Sequence, residues 1–192
     1  MYKLCKTEQS AARQRELERS LASLMIIRRY EEITVSDFCV HAGIPRKAFY
    51  RYFSSKDDAL YALLDHTMLE FEFFSDPYIL GAPQTQQQNL ERFFRFWKEQ
   101  KLLLDALENS GLSGVLMERA ISNVSHDAQS RRHRRKLDAK VCDYVIRFTI
   151  CGIMTMVINW HHYGYQESIQ EMAQITLRLV NEPLIPMLRE IF

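Results

Sequence analysis

The chain contains little that breaks or cross-links a backbone. Of its 192 residues only 6 are Gly and 5 are Pro. β-branched alternation is scarce, so the composition favours helices over strands. The 4 cysteines, Cys5, Cys39, Cys142 and Cys151, form no CxxC pair and sit in apolar or helical surroundings. Reduced thiols in a cytoplasmic protein are therefore expected. The most apolar run, Phe148 to Trp160, is far short of the roughly 20 residues of a spanning helix, so no membrane segment is expected. The N-terminus has no long apolar core and no cleavage site, which argues against a signal peptide. Gly-rich phosphate loops, nucleophile elbows and paired carboxylates are missing too. Glu31-Glu32 and Asp57-Asp58 read as acids at helix starts, so no enzyme activity and no cofactor are expected. Excess charge is also lacking, since the formal net charge is +1, and the overall balance does not announce a nucleic-acid binder.

What is present supports a packed core: 47% of residues are hydrophobic and 26% charged. The length suits one compact body or a small module on a larger one. Residues 1–60 hold 11 Lys and Arg against 8 Asp and Glu. That excess is small, so any electrostatic case rests on placement. Leu17, Leu21, Leu24, Met25 and Arg28 recur at helical spacing and predict an amphipathic helix over about 7–29, with Arg13, Arg15, Glu16, Glu18 and Arg19 on its polar face.

The stretch from Thr34 to Lys56, TVSDFCVHAGIPRKAFYRYFSSK, is denser in signals. Thr34 can cap a helix, with Asp37 in its first turn. Gly43 ends that helix in the left-handed conformation that costs glycine least. Pro45 then starts a second short helix, where a missing N–H is harmless. Ala48, Phe49 and Phe53 can pack inward with Phe38 and Cys39, leaving Arg46, Lys47, Tyr50 and Tyr52 outside. Arg and Lys suit guanine edges or phosphates, and tyrosine hydroxyls suit phosphates. The layout is that of a helix-turn-helix. Ser54 or Ser55, with Asp57 or Asp58, starts a fourth helix striped by Leu60, Leu64, Met68, Phe71 and Phe74.

Residues 34–60 resemble the signature of TetR/AcrR-type transcription regulators in Thr34, Ala42-Gly43-Ile44, Phe49-Tyr50, Phe53, Lys56 and Leu60. The motif resemblance covers roughly residues 7–60. It implies an all-α protein: a three-helix DNA-binding module over 1–55 and a larger helical regulatory and dimerisation part over 56–192. It implies that Thr34, Tyr50, Tyr52 and Lys56 touch the DNA backbone and that Arg46 and Lys47 reach base edges. Two positions depart from the pattern: Pro45 stands where Ser or Thr is usual, and Tyr52 where His is common. Cys39, where a small residue is usual, reads as a packing residue.

The remainder is helical in outline. Breaks fall at Ser75-Asp76-Pro77, Gly81-Ala82-Pro83 and Asn109-Ser110-Gly111. Helices follow from about Thr85, from about Val115 to the basic run 131–136, over 137–163, and from Ser168 with Glu171 as capping partner. Pro183 and Pro186 perturb the last end. The basic run reads as a solvated, salt-bridged face. Helix 137–163 is apolar nearly all round, so it and helix 168–182 are expected to meet their twins in a two-fold, four-helix interface, with Gly152 permitting close approach. Such regulators normally sense a small molecule in the second lobe. Phe94, Trp97, Met117, Tyr144, Phe148 and Cys151 are compatible with an apolar pocket, although residues at this spacing also suit plain core. His161-His162, with Cys142, Cys151 or His133, makes a poor metal site because adjacent histidines project about 100° apart on a helix. The expectation is a homodimeric repressor released from a palindromic DNA operator by a small-molecule effector. The alternative is a regulator or coactivator of the same shape controlled by a protein partner.

Overall fold

The computed structural model describes residues 2, 5, 7–75, 85–130 and 138–182. Among them are nine α-helices and no strand. The breaks expected at Asp76-Pro77 and Gly81–Pro83, the basic run 131–136, and Pro183 and Pro186 lie outside the described residues. So do the side chains of Phe74 and Cys142.

Helix α1, Glu8–Ile27, begins where Thr7 Oγ1 accepts the Ser10 N–H at 3.2 Å. Its buried stripe is Leu17, Leu21, Leu24 and Met25. Glu18 is a correction to the sequence reading: it is 1% exposed, not on the polar face. A 3-10 turn, Tyr30–Glu32, leads to α2, Val35–His41, and α3, Arg46–Tyr52. At the N-terminus of α2, Thr34 accepts the Asp37 N–H at 3.1 Å and Asp37 accepts the Thr34 N–H at 2.9 Å, closing a capping box. Gly43, at φ +63°, makes the turn. Pro45 is the residue before α3, not its first helical residue, with extended φ and ψ. Phe38 and Phe49 meet edge to face at 5.4 Å, and Phe49 packs on Phe53 with tilted rings at 5.5 Å. These rings close the core of the head against α1.

Helix α4, Lys56–Ser75, starts where Ser55 Oγ accepts the Asp58 N–H at 3.1 Å. It packs on α1 past its midpoint, through Glu18–His66 and Arg15–Glu70, and also on α5 and α7 of the second lobe. Helices α5, Gln86–Glu99, and α6, Lys101–Asn109, occupy a stretch the sequence reads as continuous. They part at Gln100, whose N–H reaches both Phe96 and Trp97 carbonyls. Helix α6 lies along α1. There Asn109 Nδ2 donates to the Met25 carbonyl at 2.7 Å, and Ser110 Oγ accepts the Tyr30 N–H at 3.0 Å. Both bonds tie the head to the second lobe. Helices α7, Ser113–Ser130, α8, Ala139–His162, and α9, Ile169–Asn181, complete that lobe. Helix α9 packs on α5, and α7 on α8. Apolar burial is continuous from Leu17 in the head to Met172 in α9.

Candidate nucleic-acid interface and internal cavity

Helix α3 has two faces. Phe49 is fully buried, while Arg46, Lys47, Tyr50 and Arg51 are exposed and Tyr52 is half-buried against the core. Arg46 Nη2 lies 3.3 Å from the Tyr50 hydroxyl, one turn on. The two therefore form one polar patch. Arg51 belongs to the same exposed set and was missed in the sequence, although it is a cation two positions before the buried Phe53.

Thr34 and Lys56 are engaged within the head. The Thr34 hydroxyl donates to Asp37 Oδ2 at 2.6 Å, and these Thr34 bonds hold the Asp37 carboxyl below its ordinary range. Arg28 stands 3.2 Å from the same carboxylate. Lys56 Nζ donates to the carbonyls of Tyr30 at 2.8 Å and Ile33 at 2.9 Å. It also sits 4.4 Å from the Tyr30 ring centroid. Lys56 therefore clamps the C-terminal carbonyls of the 3-10 turn. Burial pushes the Cys39 thiol up, which suits a packing group.

A cavity of about 180 Å³ lies in the second lobe, walled by Met68 and Phe71 of α4, Phe93 and Trp97 of α5, Asn123 of α7 and Ile150 of α8. Of the six residues expected to line a pocket, Trp97 walls it. Phe94 is fully buried against Trp160, ring centroids 5.7 Å apart. Met117 is half-buried against the core and does not line the cavity. Cys151 is half-buried, whereas Tyr144 and Phe148 are 64% and 72% exposed. Phe148 instead lines an open apolar cleft of about 540 Å³ between α8 and α9, with Val145, Gly152 and Val180. Val141, Tyr144, Val145 and Phe148 recur at helical spacing on this uncovered side of α8. In a single chain, then, α8 is not buried on all sides.

Two polar clusters escaped the sequence reading because their members are far apart in the chain. Arg119 of α7 forms an ion pair with the buried Asp65 of α4, its Nε 2.8 Å from Oδ1. The Asn123 amide approaches the same carboxylate at 3.5 Å, and the Tyr2 hydroxyl donates to it at 3.2 Å. Beside it, His66 Nδ1 lies 2.8 Å from Glu18 Oε1. Elsewhere, His161 Nε2 stands 3.2 Å from both Asp105 and Glu108. Among the described residues no group of His, Cys, Asp and Glu is arranged to hold a metal ion. No described helix is long and apolar enough to cross a membrane.

Comparison with curated protein sequences returns no match. Several solved structures share the fold. A TetR transcriptional regulator of Streptococcus agalactiae is 20% identical, with TM-score 0.62, covering 90% of this chain and 95% of that one. A Listeria innocua protein is 13% identical at TM-score 0.68, covering 93% and 94%. The Bacillus subtilis regulator FadR, solved in complex with stearoyl-CoA, is 16% identical at TM-score 0.52, covering 87% and 97%. At these identities the likeness speaks for the fold. The sequence itself carries the membership, because the TetR-type family described as "Transcriptional regulator C-terminal region" matches residues 84–182, more than half of the chain. With a two-helix reading head in front of that region, the chain belongs to the TetR family and is a DNA-binding transcriptional regulator.

Proposed function

We propose that the protein is a cytoplasmic homodimeric repressor that leaves a palindromic operator when a small molecule occupies its second lobe. One observation carries the DNA half of this reading. Helix α3 turns Phe49 into the core and offers Arg46, Lys47 and Tyr50 to solvent in one patch. In this reading Arg46 and Lys47 meet base edges, and Tyr50 and Tyr52 meet phosphates. Thr34 and Lys56 flank the reading helix and shape the contact, one by capping α2 and the other by clamping the 3-10 turn.

Two heads must sit about 34 Å apart, or a multiple, to read one side of a duplex. The uncovered apolar side of α8, with Ile175, Leu179 and Val180 of α9 exposed nearby, supports a two-fold pairing that fixes this spacing. A partner helix there would also cover the open cleft beside Phe148. For the effector, the support is the apolar cavity between α4, α5, α7 and α8, together with a neighbour of the same fold solved with a bound small molecule. Ligand would favour a conformation with wrongly spaced reading helices.

The test is selection of duplex from a random pool, followed by titration of the chosen site at several salt concentrations. The expected result is an inverted repeat bound as a dimer, with affinity falling steeply as salt rises. A single unrepeated half-site bound by one chain would contradict the reading.

A further inference from the structure

We infer that Asn109 and Ser110, at the end of α6, are positioning residues that fix the angle of the reading head on the second lobe, and that this pair sets which half-site spacing the protein accepts. The inference rests on the proposed two-fold pairing through α8.

Helix ends explain the attachment. The last turn of α1 leaves carbonyls without an N–H from their own helix. The Leu24 carbonyl accepts the Arg28 N–H. The Met25 carbonyl accepts instead from Asn109 Nδ2 at 2.7 Å, with the Ile26 carbonyl further off at 3.5 Å. The 3-10 turn has the opposite need, because its first N–H finds no acceptor within the turn. Tyr30 N–H donates to Ser110 Oγ at 3.0 Å. Two adjacent residues of the second lobe thus cap the end of α1 and the start of the turn after it. Only Arg28 and Arg29 separate those two elements, so the pair spans the link between them.

From that link, bonds run to the reading helix. Arg28 stands 3.2 Å from Asp37, which closes the capping box of α2. Lys56 holds the carbonyls of Tyr30 and Ile33, and the Tyr30 hydroxyl donates to Asp57, both at the start of α4. A change of angle at the link therefore carries the head with it. On the other side, α6 is fastened to α8. His161 Nε2 stands 3.2 Å from both Asp105 and Glu108, and Glu108 directly precedes Asn109. The pair therefore lies between the proposed pairing helix and the head. The other polar attachments of α1, Glu18–His66 and Arg15–Glu70, fall nearer its middle.

The test uses the full chain, the selected operator, and operators with one base pair added or removed between the half-sites. One base pair moves a half-site by about 3.4 Å and turns it by about 35°. The native protein should bind the altered operators more weakly. A double variant, Asn109→Ala with Ser110→Ala, should bind the selected operator roughly threefold to tenfold more weakly. Its affinity for the altered operators should not fall, so its spacing preference shrinks by the same factor. Its affinity for a duplex with one half-site should match the native value, because the reading residues are untouched. Asn109 is exposed and Ser110 half-buried, so water can replace either side chain and the fold should survive. Circular dichroism and light scattering check for a folded dimer, and each single replacement should show part of the change. A folded, dimeric double variant with the native spacing preference would overturn the inference and leave the pairing standing. Equal losses on one half-site and on the whole operator would overturn it too, since the pair would then shape the head and not its placement. A native protein indifferent to spacing would refute the two-fold pairing, and this role with it.

Discussion

Glu18 of α1 and His66 of α4 face each other across the join of the two lobes, His66 Nδ1 lying 2.8 Å from one carboxylate oxygen and 3.0 Å from the other. Glu18 is almost wholly buried, and burial pushes its carboxyl up to about 8. Arg15, 3.8 Å away, opposes that shift, while Glu70 and Asp65 add to it. The contact joins the DNA-reading head to the helix that walls the cavity.

A pH dependence of stability follows. The folded chain keeps a proton on Glu18 that the unfolded chain releases above its ordinary value of 4.5. Between there and about 8 the folded state binds more protons, so stability falls as pH rises through this window. Denaturant unfolding at pH 5.5 and pH 8.5 should show native protein losing at least about 1 kcal/mol more than Glu18→Gln. Parallel losses in the two proteins would disprove this account of Glu18.

On DNA, Arg46→Ala and Lys47→Ala should each weaken the selected site by about 1–3 kcal/mol and relax base preference at one position of each half-site. Tyr50→Phe should weaken all duplexes alike, because a phosphate contact carries no sequence information. Binding to variant operators measures both. Unchanged preference in both cation variants would remove these residues from base reading.

Lys56 is expected to matter more to folding than to DNA affinity. Lys56→Met takes the ammonium donor from the Ile33 carbonyl and leaves the Tyr30 carbonyl only the Ile33 N–H, and should lower stability by about 1–3 kcal/mol. The salt dependence of operator binding should change little at temperatures where the variant remains folded. A slope reduced by about one, with stability intact, would make Lys56 a phosphate contact.

Phe148→Glu places a charge on the uncovered side of α8 and should leave the folded chain intact but monomeric. Light scattering and circular dichroism measure the two parts separately. A dimer that survives this change would move the pairing surface elsewhere.

The head was legible because its signals are local. Thr34 with Asp37, Gly43 at its positive φ, and the Phe49–Phe53 pair all act within one or two turns of chain. The pause at Gln100 was not, since neither glycine nor proline marks it. Glu18 was misread because its partner is 48 residues away, and periodicity alone assigns a glutamate to the wet side of a helix. Lys56 had the same difficulty, because its acceptors belong to a turn more than 20 residues earlier. The cavity wall was half hidden for a further reason. Asn123 comes from α7 and Met68 and Phe71 from α4, and only the packing of those two helices brings them together.

Helix α4 is held near its midpoint by the Glu18–His66 contact. Ten residues toward one end lies Lys56, and five toward the other lies Phe71 of the cavity wall. At 1.5 Å per residue, these arms measure about 15 Å and about 7.5 Å. Both sides of that midpoint are tied down as well: Lys56 grips the 3-10 turn of the head, and Arg15 of α1 stands 3.6 Å from Glu70, one residue short of Phe71. Anything that displaces the Phe71 end must therefore strain bonds that belong to the head.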